Sequence, residues 1–78
     1  MERAISTIQE FTLRAQELGI FKVLFFDRNM SRPDIFALLK QWAEEFFINE
    51  EIIHGEEPDW FYYDEVDTFL NDKFDHMK

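Results

Sequence analysis

Asp64, Asp67, Asn71 and Asp75 recur every three or four residues, which on a helix sets them in one nearly straight row. At a rise of about 1.5 Å per residue that row is roughly 16 Å long, with a side chain every roughly 5 Å. Duplex DNA presents its phosphates at comparable intervals, about 3.4 Å of axis per strand. A protein surface built to hold phosphates with Lys and Arg could accept such a row of carboxylates instead. Glu65 and Asp72 flank it, and Glu44, Glu45, Glu50, Glu51, Glu56, Glu57 and Asp59 extend the acidic excess almost without intervening cations. Ordinary solvated faces mix the two signs. The plainer reading is a solvated helix face.

The run Trp60-Phe61-Tyr62-Tyr63 is the second candidate. Four consecutive aromatics cannot all point into one core from either a helix or a strand. One or two of them are expected at the surface, where Trp and Tyr serve as binding anchors. With acids on both sides, the run forms an apolar centre within an acidic rim, suited to a basic and partly apolar partner. The simpler alternative is that it closes the base of a small core, with the Tyr hydroxyls at the surface.

Other chemistry finds little support. Glu50 with His54, and Asp72 with His76, each have the i,i+4 spacing of one helix face, but a metal site needs further converging ligands. No metal or cofactor is expected. Asp27 follows Val23-Leu24-Phe25-Phe26 like a catalytic Asp at a strand end, yet the chain is too short to supply the companion strands. Gly19 and Gly55 stand isolated, so no phosphate-cradling loop exists. No nucleophile-elbow, zinc-protease or EF-hand pattern appears. The chain is therefore expected not to be an enzyme.

Charge is unevenly divided. Residues 1–43 hold six basic and five acidic residues, whereas residues 44–78 hold twelve acidic and two basic ones, giving −9 overall. Such a chain is poorly suited to bind nucleic acid directly or to sit on an acidic membrane. It suits a basic protein surface, and large basic surfaces are commonly those that hold nucleic acid. The 78 residues allow one acidic domain over 1–78. Aromatics at 18%, ten of them Phe, provide for a core. The absence of cysteine excludes disulfide and thiolate-metal scaffolds. With no visible secretory signal or apolar run of membrane-spanning length, the expected location is the cytoplasm, that of a host cell if the chain is phage-encoded.

Helices must position these groups. Residues 2–18 read as one, with Ala4, Ile5, Ile8, Phe11, Ala15 and Leu18 on one face, Arg3, Glu10, Arg14 and Glu17 opposite, and Gly19 as its stop. Residues 20–26 are a short apolar run, read as a helix with a strand as alternative. Ser31, Pro33 and Asp34 announce a helix over about 32–47, striped by Ile35, Phe36, Leu38, Leu39, Trp42, Ala43, Phe46 and Phe47. It either continues through 48–53 to Gly55 or gives way to a strand over 46–53. A loop follows over 54–59. A last helix over about 63–76 faces inward with Val66, Phe69, Leu70, Phe74 and Met77. The expected fold is all-α, a small bundle of three to four helices. The alternative is α+β, with a short strand at 20–26 and a hairpin at 46–63.

The profile, small, acidic and cytosolic, resembles two groups: phage-encoded inhibitors of host defence or transcription, including anti-restriction and anti-CRISPR proteins, and immunity proteins of nuclease toxins. The Tyr62-Tyr63 pair is similar to a Tyr-Tyr pair in an acidic loop of small helical immunity proteins. The flanking residues differ from theirs, and no residue role is carried over. Together these features lead to the expectation of a stoichiometric inhibitor or sequestering module. It would bind the nucleic-acid-binding surface of a partner protein or nuclease complex by phosphate-mimicking contacts, as a monomer or homodimer. The competing expectation is a small adaptor or structural subunit that dimerises through residues 60–63, its acids merely solubilising it.

Overall fold

The structure, a computed structural model, describes residues 4–55 and 60–77. In chain order it contains β1 (Ala4–Ile5), α1 (Ile8–Glu17), α2 (Ile20–Lys22, continued by a π-helical turn over Val23–Asp27), α3 (Arg32–His54), β2 (Phe61–Tyr62) and α4 (Tyr63–Met77). The molecule is a small helical bundle with a minimal two-stranded ribbon, as the all-α reading expects.

The ribbon revises the first helix. Ala4 and Ile5 pair antiparallel with Tyr62 and Phe61. The helix begins only at Ile8, because local polar groups fix its start there. Thr7 is extended, and its hydroxyl oxygen accepts the N–H of Glu10 (3.2 Å). The Glu10 carboxylate in turn accepts the N–H of Ser6 (2.6 Å). The first bond satisfies a donor that a helix start leaves unpaired, and the second ties the residue before the cap to the first turn. Ile5 still reaches the core, but as the inward residue of a strand opposite Phe61. Leu18, expected on the buried stripe, forms the C-cap and is exposed. Gly19 reverses the chain at φ +82°, a conformation that glycine adopts without strain.

Residues 20–26 are helical, so the strand alternative there fails. Ile20 and Leu24 point inward, whereas Val23, Phe25 and Phe26 are exposed. The wider π turn ends with the N–H of Met30 donating to the carbonyl of Leu24 (3.2 Å). Asn29 then adopts φ +54°, a region that Asn tolerates better than most residues, and α3 starts directly afterwards. Ser31 caps it: its hydroxyl accepts from the Asp34 N–H (3.4 Å) and donates to the Asp34 carboxylate (2.7 Å).

The helix α3 runs unbroken to His54 and ends on Gly55 at φ +71°. Residues 46–53 are therefore helix, and the only strand of the expected 46–63 hairpin among the described residues is the pair Phe61–Tyr62, which joins β1 instead. Along α3, Ile35, Leu39, Trp42, Ala43 and Phe46 are buried, Leu38 and Phe47 half-buried, and Phe36 exposed. Phe46 is the hub of the core. Its ring lies 5.0 Å from Phe61, 5.3 Å from Phe69 and 5.8 Å from Phe11, so one side chain ties α3 to β2, α4 and α1. Trp42 meets Phe74 edge-on at 5.8 Å and fastens the C-terminal half of α4. Each such aromatic contact adds about 0.5–1.5 kcal/mol beyond area burial.

Two polar contacts close the bundle. The Glu65 carboxylate accepts the N–H of Tyr62 (3.2 Å), the residue just before α4. At the other end, the Arg28 guanidinium donates to the carbonyl of Met77, placing a cation where the helix dipole favours one. Among the described residues, no helix is long and apolar enough to cross a membrane.

Candidate functional site

The acidic residues singled out by sequence divide into three sets. The first is used internally. Asp67 belongs by sequence to the solvent-facing row of α4, yet it turns inward to meet Arg14 of α1. The Arg14 Nε and Nη2 donate to its two carboxylate oxygens at 3.0 and 2.8 Å. Arg14 also donates to Glu17 (3.3 Å), and its guanidinium lies 4.3 Å from the centre of the Tyr63 ring. The hydrogen bonds to Asp67 raise the Arg14 pKa above its ordinary value. A pKa raised on folding stabilises the fold fully below the ordinary value and loses that contribution only above it, so Arg14 acts as a fixed cation at every moderate pH. The expected straight row 64–67–71–75 is thus broken, and Tyr63 is a half-buried wall for Arg14. Spacing within one helix could not reveal this, because the cation comes from 53 residues away.

The second set is partnered at the surface. Glu45 accepts from Lys73 (2.6 Å) across α3 and α4, Glu65 serves as the α4 cap, and Asp72 lies 3.7 Å from His76. Glu50 is partly buried, and Asp75 is exposed. Asp64 is exposed at the start of α4, where its backbone carbonyl accepts from the Thr68 hydroxyl (2.8 Å). Glu56, Glu57 and Asp59 lie outside the described residues, as does the side chain of His54. Among the described residues, no group of three or more His, Asp or Glu converges to hold a metal ion.

The third set stands on the outer face of α3. Glu44, Ile48 and Ile52 follow at i,i+4,i+8, with Glu51 alongside, and all four are exposed. Ile52 is 72% exposed and Ile48 56%, so the stripe that continues α3 past Phe47 faces solvent. At about 1.5 Å of rise per residue, the two carboxylates stand about two turns apart, roughly 10 Å, with the isoleucines beside and between them. Ile48 and Glu51 border a depression of ≈ 310 Å³ against Ser6, Thr7 and Ile8, with Phe47 and Phe61 in its wall. Sequence reasoning named Glu44 and Glu51 but left residues 48–53 open between helix and strand, and so did not single out the isoleucines. Their i,i+4 spacing beside acids was the signal available.

The aromatic run alternates as a short strand must. Phe61 is buried against Phe46 and Phe47. Trp60 and Tyr62 are 48% and 42% exposed, with ring centres 4.4 Å apart. This ring pair is pre-assembled on the outer side of the ribbon.

No family model, curated protein or solved structure matches this chain. The reading of the surface therefore rests on its own chemistry.

Proposed function

We propose that this protein is a non-enzymatic binding module that docks on the basic, nucleic-acid-binding surface of a partner protein and thereby blocks it. The observation that carries the reading is the α3 face, where the exposed Ile48 and Ile52 are interleaved with Glu44 and Glu51 beside a depression. Exposed isoleucines among carboxylates fit a partner that offers both cations and apolar contact. Two isoleucines on one helix face, next to a depression with Phe47 and Phe61 in its wall, form the kind of cluster that marks a contact surface. The net charge of −9 would steer encounter with a basic surface, and the acids would compete with phosphate for its Lys and Arg groups. Trp60 and Tyr62 supply rigid anchors at little entropic cost. The biological role that fits best is a phage-type counter-defence inhibitor of the anti-restriction or anti-CRISPR kind, acting in the cytoplasm of the host cell; a nuclease-toxin immunity protein would use the same contacts.

Affinity capture on the immobilised protein, with an Ile52→Ser, Glu51→Lys variant as control, tests the reading. A captured partner should bind nucleic acid, be lost from the variant, and be eluted by duplex DNA or RNA. Its association should slow steeply with salt, because exposed charges are screened over about 10 Å at 0.1 M. A partner that holds this protein and its nucleic acid together, with full affinity for each, would exclude the mimicry.

A further inference from the structure

A second surface of the opposite character lies at the other end of α3. The helix α2 and the first turns of α3 enclose a half-open groove of ≈ 250 Å³. Phe21, Phe25 and Phe26 form one wall and Phe36 the other, with Ile35 at its base. The register of α2 creates this wall. Leu24 takes the inward position, which turns Phe25 and Phe26 outward into the π turn, and Phe26 is 71% exposed. The rings are ordered in pairs, Phe21 against Phe36 at 5.1 Å and Phe25 against Phe26 at 5.3 Å.

The rim is cationic. Lys22 of α2 and Arg32 of α3 line the groove with Gln16 of α1, and no carboxylate is among its lining residues. Neither cation has an ion-pair partner among the described residues. In a chain with 17 acids and eight basic residues, a groove of four phenylalanines lined by two cations and no carboxylate is a local inversion of charge.

We propose that this groove docks an acidic amphipathic helix of a partner protein, its apolar side chains set among Phe21, Phe25, Phe26 and Phe36 and its carboxylates on Lys22 and Arg32. The walls are helical and offer no strand edge, so the fitting mode is a helix laid in a groove, read through apolar anchors at i, i+3 or i+4, and i+7. The volume falls below the roughly 300–1,000 Å³ of pockets that enclose a small ligand, so side chains of a larger partner fit better than a free small molecule. An anionic membrane would meet the whole molecule and its net repulsion, whereas a peptide in the groove meets the local cations first. The proposal does not depend on the acidic α3 face, and together the two surfaces would make the protein a bridge between a basic and an acidic partner.

The test selects 15-residue peptides from a displayed random library on the full chain, with counter-selection on a Lys22→Glu, Arg32→Glu variant. Both changes lie on exposed positions, and Glu at the first turn of α3 suits the helix dipole, so the variant should keep its circular dichroism spectrum. Peptides lost on the variant should carry an excess of Asp and Glu with apolar residues at helical spacing. Their affinity should fall about tenfold in Phe26→Ser, as for loss of a central aromatic anchor. A yield of groove-dependent peptides that are basic, or none at all, overturns the proposal, as does unchanged affinity in Phe26→Ser. Phe26-dependent binding to phosphatidylserine vesicles would assign the groove to lipid and overturn it. A concentration-dependent dimer lost in Lys22→Glu would assign it to a second copy of the chain, with the same consequence.

Discussion

The two halves of α3 carry phenylalanines with opposite surroundings. Phe46 is 2% exposed and meets four other rings, those of Phe11, Phe47, Phe61 and Phe69. Phe36, ten residues earlier on the same helix, is more than half exposed and packs on the half-buried Phe21. Both belong to one apolar stripe when the sequence is drawn on a wheel. The difference lies in what arrives from elsewhere. Around Phe46 the ribbon, α1 and α4 converge; around Phe36, among the described residues, the short α2 is the ring-bearing neighbour, and its π turn directs Leu24 inward and two phenylalanines out. An aromatic residue is thus core or surface according to how many elements the topology brings to it.

That contrast can be broken most directly at Phe46. Phe46→Ala should destabilise the fold by about 3–5 kcal/mol, since it leaves a cavity between four rings. For a domain of this size each kcal/mol lowers Tm by about 4–8 °C, so the variant should be largely unfolded in a thermal melt. Trp42→Ala should follow close behind. A wild-type melt for either would show that the hub lies elsewhere.

An intermediate effect is expected at Arg14, which joins α1 to α4 on the well-packed side. Arg14→Ala removes a bidentate ion pair and a ring contact, and leaves Asp67 without its cation. A loss of about 1–2 kcal/mol in urea unfolding fits these parts. Asp67→Asn should lose less, because a polar contact to Arg14 survives. If both variants unfold like wild type, Asp67 is surface after all and the acidic row of α4 is restored.

Thr7→Ala should cost about 1 kcal/mol, the usual loss of an N-cap, and should fray α1 at its start. Hydrogen exchange at the Glu10 amide would report it locally. The smallest effect is expected at the other pole of the comparison. Phe26→Ala should shift stability by no more than about 0.5 kcal/mol, as for most surface substitutions. A large loss there would make the exposed ring part of the core and remove the docking groove.

How far these features could be read beforehand depended on the distance over which they are decided. The start of α3 was legible because Ser31, Pro33 and Asp34 mark it, whereas its last turns, 48–53, could be read as helix up to Gly55 or as strand until the structure settled them as helix. The start of α1 was also written locally, in Thr7 and Glu10, yet the periodicity of Ala4 and Ile5 obscured it. Two residues cannot announce a strand whose partner lies more than fifty positions away. Of the candidate site, the exposure of Glu44 and Asp64 followed from the helical wheel. The loss of Asp67 to Arg14 did not.

Sequence by itself determined the short-range facts: the negative charge and its concentration after residue 43, the helical majority, the caps, and the inward stripes of α3 and α4. These depend on neighbours within one or two turns, where spacing and capping chemistry act. Tertiary structure alone decided which surface groups remain for a partner. It paired β1 with β2, drew Asp67 and Tyr63 to Arg14, left Ile48 and Ile52 in solvent, and set Phe26 beside Lys22 and Arg32. Each of these outcomes turns on groups brought together from different elements, and a pattern read along one element carries no record of what will be packed against it.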